Sequence, residues 1–246
     1  MGTERGGGEA GGRALTGVEV WLFDLDNTLY PASCDLFPLI ERRMGAFIAE
    51  RFGVSLEEAR RRQKRFFRDY GTTLRGLMVE YGVEPQLFLD YVHAIDLGSV
   101  APSPALARGL TALPGRKLIF TNASRDHAER VMARLGVTGL FEAVYDIADA
   151  GYRPKPDPAP YAGLLARHGV DPARACMLDD MARNLVPAAG LGMITVWIRT
   201  DSAWGRPGPE DRPHIDHVID DLPGWLAGLT GLALDGGARK GADALS

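Results

Sequence analysis

Cysteine is scarce in this chain: Cys34 and Cys176 are the only two in 246 residues, too few for a disulfide framework, and a reduced cytoplasm is the default setting. Lysine is scarce too, four against twenty-four arginines, so each retained lysine attracts notice. No segment is long and apolar enough to span a bilayer, which argues against a membrane partner. Glycine-rich Met1–Thr16 lacks the apolar centre of a signal peptide and reads, like Leu232–Ser246, as a disordered tail. A global basic field is missing as well. With a net charge of −4, a nucleic-acid polymer is not expected as partner, and the basic run Arg60–Arg65 reads as a solvated helix face. No internal repeat is present. What is left is a globular chain, 46% hydrophobic, long enough to bury one α/β core and carry an insert.

The most informative stretch follows the apolar run Val18–Phe23, which reads as a buried parallel strand. Asp24, Leu25, Asp26, Asn27 and Thr28 come directly after it, so two carboxylates emerge at the strand's carboxyl end. Carboxylates that close repel each other, and a shared hard cation, usually Mg²⁺ where phosphate is involved, resolves the repulsion. A helix-capping turn and a calcium loop are the competing explanations. The calcium loop fails because Leu29 stands where its glycine turn belongs.

Three more apolar runs end in polar residues. Lys117–Phe120 leads to Thr121 and Asn122, with Ser124 as helix N-cap and Gly136 as its close, so backbone N–H groups there would face an anion above the strand. Lys155, in Arg153–Pro158, precedes a proline and is held extended, where its compact ammonium suits a phosphate oxygen. Ala175–Leu178 ends in Asp179 and Asp180 and runs into a helix carrying Arg183 and Asn184. Laid side by side in one sheet, these strand ends face a single crevice.

The four motifs resemble the haloacid dehalogenase superfamily of phosphotransferases over about residues 18–200. The stretches Asp24–Pro31 (DLDNTLYP), Thr72–Met78 (TTLRGLM), Phe120–Ala123 (FTNA) and Leu178–Leu185 (LDDMARNL) are similar to its pyrimidine 5′-nucleotidase-like branch. The resemblance implies a doubly wound, mostly parallel sheet with an inserted helical cap. It makes Asp24 the nucleophile that forms an aspartyl-phosphate, and Asp26 the group that protonates the leaving oxygen and later activates water. Thr121 and Asn122 would bind phosphate. Lys155 would steady both the nucleophile and the phosphate charge. Mg²⁺ would be held by Asp24, the Asp26 main-chain carbonyl and Asp180, with Asp179 as the neighbouring understudy. Asn184 stands where the family has a distal acid, and can orient a metal-bound water without adding charge.

Between the first two motifs lies a helical block. Phe37, Ile40, Met44, Phe47 and Ile48 form one stripe ending near Gly53; Ser55 with Glu58 makes a capping box; Thr72 or Thr73 caps a third helix and Pro85 opens a fourth. The resemblance makes residues 31–103 a mobile cap hinged at Pro31–Ser33 and Val100–Pro104, with the core formed by 17–30 and 104–231. Within the cap, Thr73 and Arg75 are the candidates for touching a nucleotide, Arg75 as donor to a pyrimidine carbonyl or else as a solvated arginine. Lys64, the one cap lysine, sits on the arginine-rich face and argues against a Schiff-base phosphonatase. His214 and His217 read as core or surface residues in preference to zinc ligands.

The expected activity is a cytoplasmic Mg²⁺-dependent phosphomonoesterase acting on a small phosphate ester, foremost UMP or CMP. A phosphoglycolate or sugar-phosphate phosphatase, a phosphosugar mutase and a catalytically silent binding protein stay open. A dehalogenase has no use for the second acid, Asp26.

Overall fold

The structure, a computed structural model, describes residues 13–201 and 205–232. The expected tails therefore lie outside the described residues except for Arg13–Thr16 and Leu232. Arg13 corrects the loose-tail expectation at its inner end. Its guanidinium grips Asp216 at 2.8–2.9 Å and donates to the carbonyls of Gly192 and Met193, because the fold leaves a carboxylate and two main-chain acceptors facing it. No helix among the described residues is long and apolar enough to cross a membrane.

Among the described residues six parallel strands form one sheet: β1 (Val20–Phe23), β2 (Arg116–Phe120), β3 (Ala143–Tyr145), β4 (Ala175–Asp179), β5 (Ile194–Ile198) and β6 (His217–Ile219). Their order is β3-β2-β1-β4-β5-β6, the doubly wound arrangement. The central strand is apolar throughout because both of its faces are covered. Alternation then sends Trp21 and Phe23 into one core and Val20 and Leu22 into the other. The first core is packed by α5 (Pro104–Ala112), α6 (Arg125–Leu135) and α9 (Leu222–Thr230), through Leu106, Leu110, Val131 and Leu226. The second is packed by α7 (Pro158–His168) and α8 (Ala182–Gly190), through Tyr161, Leu164 and Leu185.

A third core lies between β1 and α5 in sequence. It joins α1 (Leu36–Phe52), α2 (Leu56–Tyr70), α3 (Thr73–Tyr81) and α4 (Pro85–His93) around Ile40, Ile48, Phe66, Leu77 and Phe88. Ser55 accepts from the Glu58 N–H, but the Glu58 carboxylate turns to Arg61 and Arg62, so the expected capping box is made on one side only. Thr72 takes the cap of α3. Gly76 lets α3 lie on α2: a Cβ at that position would fall on the Phe66 ring.

Candidate active site

The carboxyl edge of the sheet collects the four sequence motifs. Phe23 of β1 pairs with Ile119 of β2 on one side and Leu178 of β4 on the other; the chain passes from β1 to β2 and β3 on one side and then crosses to β4 on the other, and this reversal of strand order opens a crevice above the end of β1. The Asp24 N–H still bonds to the Leu178 carbonyl at 2.9 Å, so the ladder runs one residue further and delivers Asp24 beside β4. Asn27 then takes a left-handed φ of 59°, which asparagine tolerates, and the chain turns so that the Thr28 hydroxyl donates to Asp24 Oδ2 at 3.2 Å.

Lys155 is buried at the floor of this crevice. Its Nζ donates to Asp24 Oδ1 at 2.8 Å, Asp179 Oδ2 at 2.8 Å and the Phe120 carbonyl at 2.7 Å. Those bonds use all three ammonium protons, so the lysine steadies Asp24 and reaches a phosphate oxygen only by exchanging a bond. Burial works to lower the lysine's pKa and is overcome by Asp179 and Asp24, which hold it protonated. Asn122 brackets the lysine's own main chain, accepting from the Lys155 N–H at 2.8 Å and donating to its carbonyl at 3.3 Å. The Asn122 side chain thus fixes the lysine loop, while Thr121, also buried, accepts from the Ala123 N–H with its Oγ1.

Asp24, Asp179 and Asp180 offer ligand oxygens that all lie within 4.8 Å of one another, and all three are buried. Burial and the neighbouring carboxylates push Asp24 up to about 7 against the pull of Lys155. Burial, Asp24 and Asp179 push Asp180 well above the ordinary carboxylate range. Three acids facing one ammonium, with oxygen donors only, fit a hard divalent cation. Asp179 is the acid least free to bind it. Both its oxygens accept from Asn184 Nδ2 (3.0 and 3.1 Å), and it takes further bonds from Lys155 and the Met181 N–H. Asn184 Oδ1 is a buried acceptor with no partner among the described residues, as an oxygen awaiting a bound water would be.

Asp26 has a different setting and is absent from that carboxylate group. Its Oδ1 accepts from the Tyr30 hydroxyl at 2.6 Å and from His127 Nε2 at 2.9 Å. Burial would raise this carboxyl, but His127 and Tyr30 outweigh it and hold the pKa below the usual value. Neither partner was singled out from the sequence. The available signals were positional: Tyr30 stands four residues beyond Asp26, and His127 lies in the first turn of a helix that starts at the sheet's carboxyl edge.

Above these groups is a cavity of about 190 Å³. Asp24, Asp26, Thr121, Lys155 and Asp180 form its floor; Phe37, Ile40, Met44, Phe67 and Leu74 give it apolar walls; Gln63, Lys64, Thr72, Thr73 and Arg183 supply polar groups. Thr73 is thus brought in, whereas Arg75 is half-buried on α3 and does not line the cavity. Lys64 is exposed as expected but faces the cavity with Gln63, so α2 is not solvated all round. Arg183, unassigned from the sequence, stacks on Phe67 with its guanidinium carbon 4.3 Å from the ring centre and donates to the Gly71 carbonyl at 3.4 Å.

Known proteins resemble this chain in sequence and in fold. Over 193 residues the chain is 28% identical to Phosphate metabolism protein 8 of Saccharomyces cerevisiae, covering 71% of this chain and 60% of the yeast protein. It is 27% identical over 228 residues to the N-acetylmuramic acid 6-phosphate phosphatase of Pseudomonas aeruginosa, covering 81% of this chain and 89% of that protein. The crystal structure of an HAD phosphatase from Thermococcus onnurineus superposes with a TM-score of 0.59 at 20% identity, over 87% of this chain and 98% of that one, a likeness of fold. A family model for haloacid dehalogenase-like hydrolases matches residues 18–192, a span that carries every strand end gathered at the crevice, and the chain belongs to that family.

Proposed function

We propose that this protein is a Mg²⁺-dependent phosphomonoesterase that works through an aspartyl-phosphate on Asp24. The observation that carries the reading is the Asp24 carboxylate lying 2.8 Å from the Lys155 ammonium at the floor of a lined cavity. Asp24 attacks phosphorus and the P–O bond to the leaving group breaks; Asp26, ionised at rest, collects the proton that a monoanionic ester carries into the site and passes it to the departing oxygen. Asp26 then takes a proton from the water that attacks phosphorus, which releases inorganic phosphate and restores Asp24. Asp24, Asp180 and the Asp26 main-chain carbonyl would hold the metal, whose positive charge would offset the negative charge of the phosphoryl oxygens. Asn184 holds Asp179, Asp179 holds Lys155, and Lys155 in turn holds Asp24. A dehalogenase would leave the half-buried, doubly hydrogen-bonded Asp26 without a task.

Helices α1–α4, within residues 31–103, act as the cap that shields the site and selects the leaving group. We take a pyrimidine nucleoside 5′-monophosphate as the substrate. The motifs shared with that branch and the placement of Thr72 and Thr73 on the cavity wall support this choice. A sugar phosphate is the second reading, favoured by the substrate named for the Pseudomonas relative. Phosphate release from p-nitrophenyl phosphate, suppressed by chelator and restored by Mg²⁺, tests the chemistry. A screen of UMP and CMP against purine nucleotides, sugar phosphates and phosphoglycolate tests the substrate. Equal rates on purines and sugars overturn the pyrimidine assignment.

A further inference from the structure

The two oxygens of Asp26 are treated unequally. Tyr30 and His127 both bond to Oδ1, and no described residue donates to Oδ2. A carboxylate only accepts, so His127 presents Nε2 as N–H; the ring's other nitrogen is Nδ1. That atom is buried with no partner among the described residues, so the ring is oriented for the sake of its Nε2 contact.

The imidazole is held from two further sides. His93, the last residue of α4, stacks on it with ring centres 4.4 Å apart and planes 18° from parallel. Ser124 ties the pair together: its Oγ lies 2.9 Å from His93 Nδ1 and accepts the His127 main-chain N–H at 3.4 Å as cap of α6. His93 is pushed down to about 3 by burial and by His127, so its Nδ1 accepts the serine proton. Two hydrogen bonds converging on one carboxylate oxygen fix the plane of the group as well as its position.

We propose that His127 is a positioning residue for Asp26: with Tyr30 it pins Oδ1, so that Oδ2 is the oxygen that passes the proton to the leaving group and recovers one from water. This rests on the assignment of Asp26 as proton carrier made above. A glutamine at 127 can place an amide N–H near the Nε2 position, whereas an asparagine is one carbon too short.

The test compares kcat/KM for two esters at saturating Mg²⁺. One is an alkyl phosphate, whose leaving oxygen needs a proton; the other is 2,4-dinitrophenyl phosphate, whose leaving oxygen does not. His127→Asn is expected to lose about 10-fold to 100-fold on the alkyl ester and less than about 3-fold on the dinitrophenyl ester, a share of the effect of a general acid. His127→Gln recovers most of that selective loss, and Tyr30→Phe shows a smaller loss of the same kind. Asp26→Asn separates the two assignments. If it depresses both esters equally, the proton-carrier reading fails and takes this inference with it. If Asp26→Asn is alkyl-selective while the His127 variants lose both esters equally, or asparagine and glutamine behave alike, the inference alone is overturned. Circular dichroism melts identify variants that fold; should His127→Asn not fold, Tyr30→Phe carries the comparison, and an equal loss on both esters there is the overturning result.

Discussion

Lys155 Nζ lies 2.8 Å from Asp179 Oδ2, the same distance at which it meets Asp24 Oδ1, so one buried ammonium is shared between the ends of two neighbouring strands. Asp24, the proposed nucleophile, is thereby tied to β4 through a lysine supplied by the loop before α7. The fold and the site depend on the same ion pairs.

Removing Asp179 tests this dependence. Asp179→Ala strips Lys155 of one anion and leaves the Asn184 amide and the Met181 N–H without their acceptor. Breaking a buried pair from one side costs about 3 to 5 kcal/mol, read from urea unfolding of the metal-free protein. Asp180→Asn, which removes a charge from a crowded acidic cluster, leaves stability within about 1 kcal/mol but weakens Mg²⁺ activation at least about tenfold. A reversal of these two results would exchange the roles of the adjacent acids.

A pH-dependent stability follows from Asp24. Its ordinary value is 3.8 and the site pushes it up to about 7, chiefly by burial. Between those values the folded protein retains a proton that the unfolded chain has lost, so this group's contribution to stability falls as pH rises through the window. Without metal, the melting temperature of the wild type relative to Asp24→Asn is expected to drop from about pH 5 to about pH 8. Added Mg²⁺ should stabilise the wild type more at the higher pH, because there it no longer displaces protons. A difference that stays flat in chelator contradicts the buried-acid account.

The cavity wall distinguishes two arginines. Arg183 lines the cavity against Phe67, and Arg75 does not. Arg183→Ala is expected to raise KM for a nucleoside monophosphate about tenfold, the size of one charge-assisted hydrogen bond, while Arg75→Ala stays within about twofold. Steady-state kinetics on both variants decides the matter. A large effect at Arg75 alone would return the base contact to α3.

Gly76→Ala probes the helical block apart from the chemistry. The added methyl would fall on the Phe66 ring at the α2–α3 contact, and overpacking of this kind costs about 1 to 3 kcal/mol. Thermal melts measure it, and no change would mean that α2 and α3 pack differently.

Strands β1, β2 and β4 were legible because buried parallel strands are continuous apolar runs that stop at polar residues, as at Asp24, Thr121 and Asp179, whereas β3 and β5 end in no such motif and were not singled out. The caps at Ser124 and Thr72 and the stop at Gly136 were legible because they are local chemistry. The division of labour between Asp179 and Asp180 was not. Adjacent strand-end acids look equivalent until Asn184, five residues on, and Lys155, twenty-four residues back, choose one of them. His127 escaped notice because its partner Asp26 is 101 residues away, and no spacing rule spans such a distance. Lys64 and Arg183 were missed for a related reason: charged side chains on amphipathic helices resemble solvated ones until a second element covers them.

The most direct measurement is rapid acid quenching of the Mg²⁺-loaded protein during turnover of a phosphate monoester, followed by mass spectrometry of the peptide that contains Asp24. The account expects one phosphoryl group on that peptide, formed before steady-state phosphate release, and lost in Asp24→Asn or in chelator. Phosphate release with no modified peptide, or with the group on another residue, would contradict it.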